Sequence, residues 1–530
     1  MRRWNGWGDE TICFPLPGNA LRFLVKRIGE AKPLPGATLD DVLRQVPESR
    51  LPDSPLVDKS AEERVRHTRG QSLPDWLALR SGNLGVFPDG VAYPTTREDI
   101  CNLLIYAREA RAIVIPYGGG TSVVGHITPE KGKNPVLTID MGRMNRLLSL
   151  DKESQIATFG AGATGADVES QIRVQGYTLG HFPQSFDYST LGGWIATRSS
   201  GQQSLRYGRI EQLFAGGRLE TPVGPLEIPT FPASAAGPDL REIVLGSEGR
   251  LGVLTEVKVQ VTPLPERERF HVVFFPGWQE AVNAVRTVLQ ERISLSMLRL
   301  GGAVETETQL ALAGHERLIT LLDKFLSWRG AGNDKCMLIF GVTGTRTQCR
   351  GELKQALRVF KKAKGVHTGT YMGRKWAESR FLVPYLRNSL WEKGYAVDTL
   401  ETSTDWQNVD NMVEIIESTL SGVLSHEGER IHVFTHLSHP YPQGSSIYTS
   451  YIFRASETYE ETFARWQRLK IAASEAIVAN GGTISHQHGI GVDHAPYLVA
   501  EKGELGLATI KTLCQQFDPD GMMNPGKLVR

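Results

Sequence analysis

Near its C-terminus the chain reads "SHQHGIGV", Ser485 to Val492, with two histidines around a glutamine followed by a Gly-Ile-Gly turn. Imidazoles at this spacing suit three jobs: ligating a metal, moving protons near neutral pH, or closing a loop. Upstream, "IHVFTHLSHPY" adds His432, His436 and His439, which with His486 and His488 would make a ligand set for a divalent metal. Arg299, in "LSMLRLGG", is a charge inside an apolar strand pattern and calls for a partner. Arg387, in "PYLRNSL", reads on its own as a solvated helix arginine. "SSIYTSYIF" alternates as a strand, so Tyr448 and Tyr451 point to opposite faces.

A second kind of chemistry is written in glycine. "PYGGGTSV" (116–123), "QSFDYSTLGGWIATRSSG" (184–201) and "GSEGRLGVLTEV" (246–257) each mix glycine with Ser, Thr or Asp. Such loops turn several backbone N–H groups toward an anion, and their hydroxyls add donors, which suits a pyrophosphate. "GAGATG", Gly160 to Gly165, is a G-x-G-x-x-G between a strand-like "SQIATF" and a helix-like "ADVESQIRVQG", with Asp187 near the distance of a ribose-binding acid. Alone it is a weak dinucleotide signal, and a tight strand-to-helix turn is the preferred reading.

The elements that carry these residues belong to a large chain. At 530 residues it exceeds one hydrophobic core, at roughly 100–200 residues per domain. Apolar content of 40% and 22% charged residues match an ordinary globular protein. No apolar run has the roughly 20 residues of a membrane span. A formal charge of +1, from 59 basic and 58 acidic residues, argues against a nucleic-acid partner. Five scattered cysteines without C-x-x-C spacing read as reduced, buried thiols in a cytoplasmic protein. Arg2-Arg3 is followed by "WNGWGDE", and the apolar "ALRFLVKRI" is broken by charge, so no export signal is read.

Along the chain, residues 1–85 read as a helical extension, with aromatic turns, Pro-rich joints and a charged segment. From Pro94 strands and helices alternate, as in "REDICNLLIYAREA", "AIVIPYGGG" and "PVLTID". "PLPERERF" (263–270) ends the glycine-rich region. The later "ETYEETFARWQRLKIAASEAIVANGG" predicts a long amphipathic helix stopped at Asn480-Gly481-Gly482, after which a short strand is expected to deliver His486 and His488.

The three glycine loops, with "RRWNGWGD", "GHFPQSFDYSTLGGWIATRSSG", "SAAGPDL", "YLRN", "LETSTDW" and "SHQHGIG" in order, make the chain resemble the FAD-binding flavoproteins of the vanillyl-alcohol oxidase family. Within that family it is most similar to the alkylglycerone phosphate synthases of ether-lipid synthesis, over nearly its whole length. The resemblance implies an α+β fold: a PCMH-type two-subdomain FAD-binding domain (86–266), an α+β cap or substrate domain (267–480), a segment returning to the flavin site (481–530) and the N-terminal helical extension. It implies noncovalent FAD lined by Pro116, Tyr117, Gly118, Gly119, Gly120, Thr121 and Ser122. The same wall is expected to include Gln184, Ser185, Phe186, Asp187, Tyr188, Ser189, Thr190, Thr197, Arg198, Ser199 and Ser200, with Glu248, Gly249, Arg250, Leu251, Gly252, Val253 and Leu254. In this family "GAGATG" is scaffold.

The implied reaction is a transferase step that exchanges the acyl chain of acyl-dihydroxyacetone phosphate for a long-chain alcohol, with flavin as electron sink and covalent partner. It needs an anion site, a base near a ketone, polar groups for oxygens and an apolar tunnel. By position, Tyr448 matches the family's catalytic tyrosine and Arg387 its phosphate-binding arginine. Arg299, His486, Gln487 and His488 are the further catalytic candidates, and His436 a substrate-binding one. Base duty for a phenol requires neighbours that stabilise phenolate, and the histidine loop is the expected source.

Two departures from relatives matter. Flavin dehydrogenases of D-2-hydroxy acids resemble this region but carry a Glu-His pair and a further upstream histidine, where this chain has Gln487 and Gln443. A neutral amide is a poor metal ligand, so no metal is expected. The synthases usually show three successive histidines, and close members have arginine at His436. The alternative function is a FAD-dependent oxidase or dehydrogenase of a hydroxylated substrate such as a 2-hydroxy acid; a flavin-binding sensor is a third reading. The resemblance is compatible with a homodimer, and the basic "NALRFLVKRIGEAK" with peripheral contact at a membrane surface.

Overall fold

The structure, a computed structural model, describes residues 1–529. Its first sheet orders the strands Val57–Asp58, Gly90–Ala92, Val136–Asp140 and Ile113–Tyr117. The last three are parallel, and Val57–Asp58 joins antiparallel from the N-terminal extension. The helix Arg97–Glu109 covers this sheet with Ile100, Leu103, Leu104 and Ala107. It begins where it does because Thr96 and Asp99 form a reciprocal capping box.

The second sheet is antiparallel, in the order Leu147–Asp151, Ile156–Gly160, Val253–Gln260, Phe214–Thr221, Gly224–Ile228. That arrangement disposes of the dinucleotide reading of "GAGATG", because its strand sits between antiparallel neighbours rather than in a parallel βαβ unit. Its glycines serve close packing: a methyl at Gly162 would meet the Met141 carbonyl oxygen at 1.7 Å. Thr164 caps the following helix Gly165–Arg173 through another capping box.

The cap is a seven-stranded antiparallel sheet ordered Val366–His367, Arg267–Phe275, Cys336–Gly344, Met297–Gly301, His432–Leu437, Gly444–Arg454, Tyr395–Asp405. Period-two alternation gives its last strands two faces. Ile447, Tyr451 and Phe453 enter a core with the helices Trp406–Gly422 and Tyr459–Ala479. Tyr448, Ser450 and Ile452 face a cavity.

Residues on both sides of these sheets knit the bodies together. Trp7 and Asn388 exchange backbone-to-amide hydrogen bonds of 3.1 and 3.0 Å. The helix Gly18–Ile28 buries Ala20, Leu24 and Ile28, and packs Leu24 and Ile28 against Leu390, Tyr395 and Ile452. Its apolar stripe is therefore spent inside the protein, and not on the membrane contact with which "NALRFLVKRIGEAK" is compatible. No helix among the described residues is long and apolar enough to cross a membrane. At the other end of the chain, Val114 and Asn524 pair backbone to backbone at 2.8 Å, so the C-terminal segment lies against the first sheet.

Candidate functional site

One cavity of about 510 Å³ opens between these bodies, within the size range of ordinary ligand sites. On one wall lie Pro116, Tyr117, Gly118, Gly119, Gly120, Thr121 and Ser122, which leave the strand Ile113–Tyr117 at its C-terminal end. Beside them are Gln184, Ser185, Ser189, Thr190, Thr197, Ser199 and Ser200 from the second loop and Glu248, Gly249, Gly252, Val253 and Leu254 from the third. The glycines allow the loops to nest: a methyl at Gly119 would meet the Tyr188 carbonyl oxygen at 1.7 Å, and one at Gly118 the Thr190 hydroxyl at 2.2 Å.

Six residues of these stretches do not line the cavity, which corrects the sequence reading. Arg198 turns away in a left-handed conformation (φ 54°) and donates to Glu242 and the Leu245 carbonyl. Arg250 donates to the Met523 carbonyl at 2.7 Å, tying down the C-terminal segment. Leu251 enters the core below the loops. Phe186 stacks on Phe381 of the cap at 4.8 Å. Tyr188 hydrogen-bonds Tyr385 at 2.7 Å, and Asp187 stands between these two aromatic contacts in sequence. A continuous stretch cannot face a ligand with every side chain; alternate ones anchor it.

The wall fits FAD chemically. Backbone N–H groups and hydroxyls dominate it, a neutral donor set suited to a diphosphate. Gln202 Oε1 and Asn524 Oδ1 are buried beside it without hydrogen-bond partners among the described residues, available to ring or ribose donors. Its one carboxylate, Glu248, is engaged: Oε1 accepts the Ile490 N–H at 2.5 Å, Oε2 the Gly491 N–H at 2.8 Å, and His126 Nε2 stands 3.1 Å away.

The opposite wall is built on the cap sheet and carries charge. Arg387 is stacked over Trp76, 4.3 Å from the ring centre, and donates through one nitrogen to the Gln71 carbonyl. Its Nε and second terminal nitrogen have no partner among the described residues, although the group is buried. Burial pushes its pKa down to about 10, so it remains a cation at neutral pH. This is not a solvated helix arginine. Arg299 meets Glu305, which is fully buried, at 2.5 Å and His436 Nδ1 at 3.1 Å.

Tyr448 stacks on His436 (4.9 Å between ring centres) and meets His488 edge-on (5.7 Å). Its hydroxyl donates to Thr399 Oγ1 at 3.1 Å. Burial pushes the phenol well above its ordinary pKa; the Thr399 hydrogen bond opposes that, while Glu401 and Asp398 reinforce it. His436 and His488 are also pushed down by burial, so both imidazoles are neutral near pH 7. Of the two means of stabilising phenolate expected from the histidine loop, positive charge or hydrogen-bond donors, burial leaves the donors: the imidazoles are held neutral.

The octapeptide itself follows the helix Tyr459–Ala479, which ends where Gly481 takes a left-handed conformation (φ 75°). No strand delivers the histidines, contrary to expectation. The reason is local: the N–H groups of Gln487 and His488 are taken by the side-chain oxygen of Glu401, at 2.6 and 2.7 Å, rather than by a neighbouring strand. Gln487 and His488 line the cavity, and Gln487 Oε1 has no partner. His486 does not line it. It is buried behind, its Nε2 accepting from Arg209 at 2.6 Å with the Tyr441 hydroxyl oxygen 2.7 Å away, and stacked on His439. Among the described residues no three His, Cys, Asp or Glu side chains converge as a metal site.

Sequence reasoning missed Glu401, His126 and Arg209 among the groups that hold this loop, and placed Glu248 on the flavin wall without its bonds to Ile490 and Gly491. Glu401 stood inside the quoted "LETSTDW" and Glu248 inside "GSEGRLG", but only the fold reveals that both reach the same octapeptide.

Comparison with known proteins agrees with the geometry. A family model described as "FAD binding domain" matches residues 88–227, and "FAD linked oxidases, C-terminal domain" matches residues 264–528. An alkyldihydroxyacetonephosphate synthase of Trypanosoma brucei brucei is 30% identical, covering 99% of this chain and 92% of that protein. One of Dictyostelium discoideum is also 30% identical, covering 99% of this chain and 93% of its own length. A solved structure of an alkyldihydroxyacetonephosphate synthase matches with a TM-score of 0.85 at 26% identity, covering 99% of each chain. The α+β architecture and FAD as cofactor follow, and with relatives this similar over their full length, the chain belongs to the alkyldihydroxyacetonephosphate synthase family of FAD-dependent enzymes.

Proposed function

We propose that this enzyme exchanges the acyl chain of acyl-dihydroxyacetone phosphate for a long-chain alcohol, forming an ether lipid. One observation carries the reading: the buried Arg387 brings two guanidinium nitrogens, without a partner among the described residues, to a cavity that is otherwise lined by many apolar side chains. A planar cation with a free fork suits a phosphate ester. Leu16, Ala20, Phe23 and Leu24 of the N-terminal extension, with Ala311, Leu312, Phe434 and Ile452 of the cap, line the cavity and suit an aliphatic chain. A substrate with a phosphate at one end and a hydrocarbon at the other matches both.

In this reading Arg387 fixes the phosphate and Tyr448 takes the proton from the carbon beside the ketone. Gln487 offers its free amide oxygen, and the Arg299–His436 pair holds the departing or arriving oxygen. FAD, when bound, supplies the electron sink and covalent partner that let the exchange proceed without net redox change. His486 acts from behind as a positioning group. The cofactor is held noncovalently by the glycine-loop residues that line the cavity. The lipid-like substrates favour a cytoplasmic protein in peripheral contact with a membrane surface, and family likeness favours a homodimer; liposome flotation and sedimentation test these two points.

The decisive assay incubates FAD-loaded protein with acyl-dihydroxyacetone phosphate and labelled hexadecanol. Labelled ether lipid with release of one fatty acid per turnover is expected. No ether product, together with bleaching of the flavin by a 2-hydroxy acid, would replace this reading with the oxidoreductase one.

A further inference from the structure

Glu401 lies in the strand Tyr395–Asp405, opposite Tyr448 across the sheet, and is 1% exposed. Among the described residues no lysine or arginine pairs with it; its charged-group neighbours are His488 Nδ1 at 3.5 Å and His486 Nδ1 at 3.7 Å. Burial alone would push its carboxyl up, but the facing His488 and His486 and the Gln487 N–H outweigh this and hold it well below the usual carboxylate range. A buried carboxylate is thus kept ionised against two imidazoles.

The two histidines are not equivalent. Arg209, always a cation, donates to His486 Nε2, so that lone pair is occupied and the ring proton sits on Nδ1. His488 has no such competitor. Its Nδ1 faces Glu401, and the residue lines the cavity beside Tyr448. A carboxylate at Nδ1 favours the proton there and leaves the Nε2 lone pair for chemistry.

We propose that Glu401 is a positioning residue that fixes the Nδ1–H tautomer of His488, so that His488 Nε2 is the proton acceptor of the cavity. The proposal rests on the ether-transfer reading above and deepens it. As Tyr448 takes the substrate C1 proton, its hydroxyl, which at rest donates to Thr399 Oγ1, turns to give its phenolic proton to Nε2 of the edge-on His488 ring. The C–H electron pair stays with the substrate, and the imidazolium that forms stands against the Glu401 carboxylate. The proton returns along the same route when C1 regains its hydrogen. This hand-off removes the need for a free phenolate in a buried site.

The test compares FAD-loaded wild type with Glu401→Gln, whose amide oxygen can still accept the Gln487 and His488 N–H groups, and Glu401→Asp. Side-chain nitrogen NMR, with the His488 signal identified by its loss in His488→Gln, should show Nδ1–H in the wild type and a mixture of tautomers in Glu401→Gln. The kcat of Glu401→Gln should fall about 10²-fold with little change in KM. The rising limb of its pH profile should move to lower pH, because the ionised Glu401 is the group that raises the His488 pKa against its burial. Asp398, Lys470, Tyr448 and His126 also face His488 and are unchanged in the variant. Glu401→Asp should keep the wild-type limb and recover part of the rate. An unmoved limb with an unchanged tautomer would mean that Glu401 merely holds the loop, and would overturn the proposal. If the wild type forms no ether product, the functional reading fails, while the tautomer measurement still decides the role of Glu401.

Discussion

The flavin-facing wall and the cap-facing wall of the cavity solve recognition by opposite means. The first uses backbone and hydroxyls: Gly118 and Gly119 lie so close to Thr190 and Tyr188 that no side chain fits, and the wall holds one carboxylate already bound to two N–H groups. The second uses a few buried ions and imidazoles, Arg387, the Arg299–Glu305 pair, His436 and His488, with Glu401 behind them. A large ligand with many acceptors is best held by shape, since many neutral donors share its charge. A small reacting centre is best handled by groups whose protonation and free hydrogen bonds are individually set.

If the cap wall does the proton chemistry and the flavin wall only binds, the largest separable effect should come from Tyr448→Phe. Turnover should fall about 10²–10⁴-fold while the yellow flavin stays bound, measured by product formation and visible absorbance. Full activity in that variant would erase the contrast. Next, Arg387→Ala should weaken binding of the phosphate substrate by about 2–5 kcal/mol, read as a rise in KM, and leave flavin affinity alone. On the other wall, Gly119→Ala should do the reverse. Crowding against the Tyr188 carbonyl costs about 1–3 kcal/mol and should appear as loss of flavin on dilution. The smallest effect tests the edge of the flavin wall. Thr164→Ala removes a helix cap in "GAGATG" and should lower stability by about 1 kcal/mol in denaturant melts without altering flavin affinity.

The three glycine loops were legible in the sequence because glycine, serine and threonine at such density have few other uses. The opposite facing of Tyr448 and Tyr451 was legible too, since strand alternation is local. The capped stop of the long helix before the octapeptide followed from Asn480-Gly481-Gly482, and Gly481 provides the left-handed residue. What failed to show were relations between distant segments. His486 and His488 look equivalent in the sequence, yet, with Glu401 at Nδ1 of both, Arg209 claims Nε2 of His486 while His488 lines the cavity. The loop was expected as a strand because local pattern cannot announce that a side chain 86 residues upstream will take its N–H group. The "NALRFLVKRIGEAK" helix looked like a surface element because its amphipathic pattern does not say which partner covers the apolar face.

The amino-acid sequence by itself determined the periodic elements, the glycine nests and the types of group available for chemistry, because these depend on residue identity and spacing over a few positions. The tertiary structure decided which groups are ionised, which donors remain free and which imidazole reaches the cavity. Those properties depend on burial and on partners brought from opposite ends of the chain: Gln71 against Arg387, Glu401 against His488, Glu248 against the Gly-Ile-Gly turn. Desolvation and Coulomb interaction act through space, so neither is readable until the chain has folded.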